Sequence, residues 1–344
     1  MAEDQAPRIL LVRRSSLGDI VIGFPALVAL RRACPHAYLA WLVEEELADL
    51  VRGHECLDEV ITIHRLSARR PRDWWQETRR VGRLLRQRRF DLAVDLQGRG
   101  KSALMCYLSG APRRVGFSNK VRGMFGMRWI NETVPTERGL TAVARSLHMA
   151  NYLGAPIYPV EFRYPVLPEA AAWAEQFAPS PATPLVALVL GASSPVKAWP
   201  PGHFARLAEM LRETGAEVLL VGGPGEAERE AVVQAALIHP ALSAVGRTNL
   251  PQLAALLARA DAVVSADTGA LHMASALGTP VIGLYGPTSP EATGPYGEQH
   301  RVLWDRPPCG PCVRRPRCRD YHCMTALTPE RVAEAVREVL ATRP

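Results

Sequence analysis

Short apolar runs alternate with segments of helical periodicity along most of the chain. This is the pattern of parallel strands buried on both faces and covered by helices. In the first half, Ile9–Val12, Tyr38–Val43, Val60–Ile63, Asp91–Leu96 and Arg114–Phe117 read as strands. Asp19–Arg32, disturbed at Pro25, and Trp74–Arg88 and Lys101–Leu108 read as helices between them. Prolines then punctuate the chain from Pro156 to Pro184, around one short helical stretch at Ala170–Phe177. The alternation restarts with strands Leu185–Leu190, Glu217–Val221, Ala262–Ser265 and Val281–Tyr285. Helices are predicted at His203–Thr214, Glu226–Ala236 and Leu250–Arg259, and in the stretch holding Leu271, Ala274, Ser275 and Leu277. A last amphipathic helix, Pro329–Thr342, turns Val332, Val336 and Val339 inward.

The pattern predicts an α/β chain of two doubly wound, Rossmann-like domains facing a cleft. The expected boundaries are 1–165, a proline-rich linker at 166–184, a second domain at 185–327, and a C-terminal helix at 328–344. A length of 344 residues, with 48% hydrophobic and 22% charged residues, fits a soluble globular protein. No apolar run is long enough to span a bilayer, and the start MAEDQAPRILLVRR lacks the apolar core of a signal peptide. The expected location is therefore the cytoplasm, with the seven cysteines reduced unless they bind metal. A net charge of +7 and a pI near 9.2 point to anionic partners.

The candidate chemistry sits where apolar runs end. In open parallel sheets, ligands bind at the carboxyl ends of the strands. Ser15-Ser16-Leu17-Gly18-Asp19 follows the first run, and Asp19 fits either a helix cap or a general base for a sugar hydroxyl. Gly191-Ala192-Ser193-Ser194-Pro195-Val196-Lys197 follows a strand of the second half. Its serines suit phosphate oxygens, and Lys197 suits a departing diphosphate or plain solvent exposure. This is no Walker A loop, because the Gly-Lys-Ser/Thr ending is missing. Gly222-Gly223-Pro224-Gly225-Glu226 ends another strand, and Glu226 fits a ribose contact or the first turn of the next helix. Asp267-Thr268-Gly269, with His272 one turn on, combines a carboxylate with a helix start suited to phosphate.

Two further clusters stand out. Arginines crowd the first half at Arg65, Arg69, Arg70, Arg72, Arg79, Arg80, Arg83, Arg86, Arg88 and Arg89, interleaved with Trp74 and Trp75. Arg113, Arg114, Lys120, Arg122 and Arg128 follow. Such a run is either a solvated helix face or a surface for an anionic acceptor or membrane; no nucleic-acid motif accompanies it. Cys309, Cys312, Cys318 and Cys323 lie close enough in sequence for a structural zinc site, with His322 as another ligand, or form a loop of thiols.

Taken in order, several of these motifs resemble the lipopolysaccharide heptosyltransferases of glycosyltransferase family 9. They are Ser15–Asp19, Asp95-Leu96-Gln97-Gly98 with Lys101-Ser102-Ala103, Lys197-Ala198-Trp199-Pro200, Asp267–His272 and Tyr285-Gly286-Pro287-Thr288. The resemblance spans Ile9 to Thr325. It implies a GT-B fold, with acceptor bound by the first domain and donor by the second. It implies inverting transfer of heptose from ADP-heptose to the anionic inner core of lipopolysaccharide, with no metal required for chemistry. Under it Asp19 is the base, Ser193 and Lys197 contact phosphate, and Glu226 contacts ribose; Ser194, beside them in the loop, is also expected to bind the donor. Thr248 falls near the nucleotide base, Asp267 on the sugar, and Thr268, Gly269 and His272 on the diphosphate. Lys101 falls in the acceptor domain. From the basic face, Arg113, Lys120 and Arg122 are expected to meet the anionic acceptor, and peripheral contact with the cytoplasmic face of the inner membrane is expected. Ala192 and Ser193 replace a threonine pair usual in the first heptosyltransferase, and the cysteine loop is closer to that of the second. Family 9 transfer from another nucleotide sugar, and a non-catalytic nucleotide- or polyanion-binding module, are the alternatives.

Overall fold

A computed structural model describes residues 6–65, 71–118, 126–136, 139–156, 158–178, 182–312 and 321–342. The chain forms two compact units, Met1–Pro165 and Val166–Pro344. In the first unit the strands are β1 (Arg8–Val12), β2 (Tyr38–Glu44), β3 (Glu59–Ile63), β4 (Leu92–Asp95), β5 (Arg113–Phe117) and β6 (Glu132–Val134). They form one parallel sheet in the order β3-β2-β1-β4-β5-β6. The order reverses between β1 and β4, which makes the carboxyl ends of these two strands the switch point of the sheet.

The predicted helix over Asp19–Arg32 is two helices, Leu17–Ile22 and Phe24–Ala33, broken at Gly23 rather than at Pro25. Pro25 sits in the first turn of the second helix, where its missing N–H costs nothing. A Cβ on residue 23 would lie 2.8 Å from the Trp41 ring, so the break lets the chain pass the buried indole. The helix Ala142–Tyr152 was not predicted. Thr141 caps it by accepting from Ala144 N at 3.1 Å, and it packs on Phe24–Ala33. Ser146 Oγ donates to Ile22 O at 2.9 Å, which ties this helix to the one that carries Asp19.

The second unit contains β7 (Leu185–Val189), β8 (Glu217–Val221), β9 (Leu242–Ser243), β10 (Ala262–Ala266), β11 (Val281–Tyr285) and β12 (Arg301–Trp304). Their order, β12-β11-β10-β7-β8-β9, is again parallel throughout, with the switch point between β7 and β10. Every residue of β7, β10 and β11 is buried, as their near-continuous apolar runs require, with Ser265 the polar residue of β10. Within 166–184, Pro168–Phe177 is a helix that packs on Leu250–Arg259, inside the second unit. The terminal helix Pro329–Ala341 also joins this unit, with Val332, Val336 and Val339 buried in its core.

Candidate active site

Asp19 is the third residue of the helix that follows β1, and Ser16 is its N-cap. Asp19 Oδ2 accepts from Ser16 N at 3.3 Å and from Ser16 Oγ at 3.0 Å. Oδ1 accepts from Arg13 Nη2 at 2.8 Å. The Asp19 side chain is 50% exposed, whereas that of Arg13 is 7% exposed. Burial pushes the Asp19 carboxyl up, but the Arg13 guanidinium and the two Ser16 bonds outweigh it and hold it below the usual value. Asp19 is therefore both a capping residue and an ionised carboxylate with lone pairs left to accept a proton.

Two arginines near Asp19 escaped sequence reasoning. Arg13 directly follows β1, and no local pattern marks it. Arg145 comes from the unpredicted helix Ala142–Tyr152, where burial and the neighbouring Arg13 charge lower its pKa while Asp19 raises it. Lys101 opens the helix Gly100–Leu108 after β4, at the same end of the sheet as Asp19, and lines a small cavity with Arg14, His64, Trp74 and Glu77.

Arg113 is different. It starts β5 and pairs in register with Leu92 at the start of β4, so it lies at the amino end of the sheet, opposite Asp19. Its guanidinium makes a two-pronged ion pair with Glu132, 2.7 Å at each prong. The strand direction thus removes Arg113 from the expected acceptor group. Lys120 and Arg122 lie outside the described residues.

In the second unit, the loop after β7 is anchored by Val196 and Trp199, both buried, with Trp199 Nε1 donating to Leu327 O at 2.8 Å. That anchoring turns Lys197 toward the loop after β10. Lys197 Nζ donates to Asp267 Oδ2 at 2.8 Å and to Asp267 O at 3.1 Å. His272 Nε2 lies 3.7 Å from Asp267 Oδ1. Burial pushes the Asp267 carboxyl up, yet His272 and Lys197 bring it down to about 2. The solvated-lysine reading of Lys197 does not hold, since its side chain is 13% exposed and paired.

The other residues expected to bind the donor lie in the loops after β7, β8, β9 and β10. Thr268 is the N-cap of the helix Gly269–Ala276, its Oγ1 3.1 Å from Ser265 Oγ. Ser193 is exposed, and Ser194 caps the short 3₁₀ turn Pro195–Lys197. Glu226 packs across three glycines. A Cβ at Gly191, Gly222 or Gly223 would lie 3.2, 3.1 or 3.3 Å from it, so these glycines leave room for that carboxylate. Thr248 is half-buried after β9, next to a turn in which Gly246 N donates to Gly222 O at 3.0 Å.

Among the described residues, the cysteine loop brings no metal-ligating group together. Cys309 is exposed and Cys312 half-buried. Cys323 belongs to the core, close against Gly286. Cys318 lies outside the described residues. Among the described residues no group of three or more His, Cys, Asp or Glu side chains comes together. Also among them, no helix is long and apolar enough to cross a membrane.

Comparison with known proteins adds to this geometry. The family description "Glycosyltransferase family 9 (heptosyltransferase)" matches residues 78–322. Lipopolysaccharide heptosyltransferase 1 of Pseudomonas aeruginosa is 32% identical over 357 aligned positions, covering 97% of this chain and 98% of that protein. Among solved structures, the ADP-heptose LPS heptosyltransferase II of E. coli superposes with a TM-score of 0.80 at 26% identity, covering 97% of this chain and 98% of that one. The E. coli heptosyltransferase WaaC with ADP gives 0.76 at 27% identity, covering 96% and 99%. The fold is of the GT-B class, built from two doubly wound α/β units.

Proposed function

The chain belongs to glycosyltransferase family 9, and from that premise we propose that it transfers a heptose from ADP-heptose to the inner core of lipopolysaccharide, inverting the anomeric carbon. The observation that carries this reading is the Asp19 carboxylate, half exposed at the carboxyl end of β1 and held ionised by Arg13 and Ser16. An acceptor hydroxyl attacks the anomeric carbon and gives its proton to Asp19. The bond from that carbon to the diphosphate breaks, and ADP leaves with the electron pair. A depressed pKa secures the ionised form but makes a weak base, so the proton moves late, when the acceptor oxygen has begun to bond.

On the donor side, Lys197 and the amino end of Gly269–Ala276 supply positive charge to the diphosphate, joined by Thr268, His272, Ser193 and Ser194. Asp267 accepts hydroxyls of the sugar, Glu226 those of the ribose, and Thr248 lies toward the base. With charge supplied in this way, the chemistry needs no metal ion, and mild EDTA is expected to leave turnover unchanged. Lys101, Lys120 and Arg122 serve the anionic acceptor. Arg79, Arg83 and Arg86 on the helix Pro71–Gln87 are exposed and, among the described residues, have no carboxylate partner; Trp75 beside them is 55% exposed. That face suits peripheral contact with the anionic cytoplasmic leaflet of the inner membrane.

The test is incubation with ADP-heptose and a panel of truncated lipopolysaccharides, read by mass spectrometry. A product heavier by one heptosyl unit on one acceptor is expected. Transfer from another nucleotide sugar alone, or from none, overturns the reading.

A further inference from the structure

The motif Asp95-Leu96-Gln97-Gly98 has no part in the chemistry above, yet its geometry leads straight to Asp19. The ladder between β1 and β4 ends where Leu96 N donates to Val12 O at 3.1 Å. Past that point the Gln97 side chain takes the place of a strand. Its Oε1 accepts from Arg14 N at 3.2 Å, and its Nε2 donates to Ser15 O at 2.8 Å. A primary amide offers an acceptor and a donor in one plane, as a peptide does, so it extends the pairing beyond the last main-chain bond.

Gln97 is itself fixed. Asp95 is fully buried, and its Oδ1 accepts from Gln97 N at 3.0 Å and from Gly98 N at 2.8 Å. Gly98, at φ +67°, turns the main chain away and leaves only the side chain facing β1. From Ser15 the chain enters Ser16, whose amide and hydroxyl both donate to Asp19.

We infer that Gln97 is a positioning residue for the reaction: its carboxamide clamps Arg14 and Ser15, and through Ser16 fixes where Asp19 presents its carboxylate. This rests on the reading of Asp19 as the base. A displacement of about 1 Å at a reacting group lowers rate by roughly 10²-fold.

The experiment compares Gln97→Met, which keeps length and loses both hydrogen bonds, and Gln97→Glu, which keeps the acceptor and loses the donor, with Asp19→Asn and the parent. Gln97→Met is expected to lower kcat by roughly 10²-fold with ADP affinity unchanged. Its acidic limb of kcat against pH should move to higher pH, because slackened Ser16 bonds no longer hold the Asp19 pKa down. Gln97→Glu should behave in the same direction, and it carries the test under the same criteria if Gln97→Met does not fold. Parental kcat and an unmoved acidic limb overturn the proposal, as does an equal loss of ADP affinity. The companion variant separates the two failures. Parental turnover in Asp19→Asn removes the base reading itself, whereas a collapsed Asp19→Asn beside a parental Gln97→Met removes only the positioning role.

Discussion

The two units share a strand order, and in each a single side chain joins the loops after the two central strands. In the first unit it is the Gln97 carboxamide, reaching from the β4 loop to Arg14 and Ser15 after β1. In the second it is Lys197, reaching from the β7 loop to Asp267 after β10. The neutral bridge orders the backbone and leaves the Asp19 carboxylate half exposed and able to take a proton. The charged bridge buries a carboxylate and an ammonium together, so the positive charge proposed to meet a diphosphate is already balanced within the unit. On the proposed reading, one topology supports two chemistries, and the difference lies in what spans the switch point.

The largest effect that would sharpen this contrast is on rate. Asp19→Asn keeps shape and the Arg13 contact but cannot accept a proton. It should lower kcat by ~10²–10⁴-fold, measured by product formation at saturating donor and acceptor.

The next is on stability. Lys197→Ala leaves the Asp267 carboxylate buried without its cation, which costs about 3–5 kcal/mol and shows as a lower urea midpoint. Asp19→Asn, whose side chain is half exposed and still offers Arg13 an amide oxygen, should cost less than Lys197→Ala. Equal losses from the two variants would show that the two bridges stabilise their units alike.

Acid should also separate the units. Asp267 is depressed to about 2 from an ordinary 3.8, so its contribution is complete above 3.8 and is lost as pH falls toward 2. The stability gap between the parent and Asp267→Asn should hold from neutral pH to 3.8 and shrink below it. In the first unit the window lies higher. Burial pushes His54 down to about 4 from 6.5, so its contribution is complete above 6.5 and is lost as pH falls toward 4. Asp95 works in the opposite sense: burial raises it to about 6, and its contribution is lost as pH rises through that value. The His54 contribution is therefore read from His54→Phe against the parent, a gap that should narrow between pH 6.5 and 4.

The smallest effect is expected at Arg113. Its ion pair with Glu132 is exposed and at the far end of the sheet, so Arg113→Ala should cost less than ~1 kcal/mol and leave the acceptor KM unchanged. A several-fold rise in acceptor KM would return it to the acceptor site.

The sequence made the central strands legible because burial on both faces leaves unbroken apolar runs, as in Leu185–Val189 and Val281–Tyr285. It hid Arg301–Trp304, a partly exposed edge strand with a basic first residue. It hid Ala142–Tyr152 too, where arginine, serine, histidine and asparagine interrupt the apolar stripe. Of the site, the loops that carry Asp19, Lys197 and Asp267 could be found, because polar residues follow apolar runs there. What joins them could not. Lys197 and Asp267 are 70 residues apart in sequence, and Gln97 reaches Ser15 across 82. No local pattern encodes contacts that sheet order alone creates. Arg113 was misplaced for a related reason: basic character says nothing about which end of a strand a residue occupies.

In the proposed division, proton acceptance belongs to the first unit and diphosphate binding to the second. Calorimetric titration of ADP into the parent, Asp19→Asn, Lys197→Met and the double variant separates the two roles. Parental affinity is expected in Asp19→Asn, weaker affinity in Lys197→Met, and the same weaker value in the double variant. Weakened ADP binding in Asp19→Asn, or parental binding in Lys197→Met, would overturn that division.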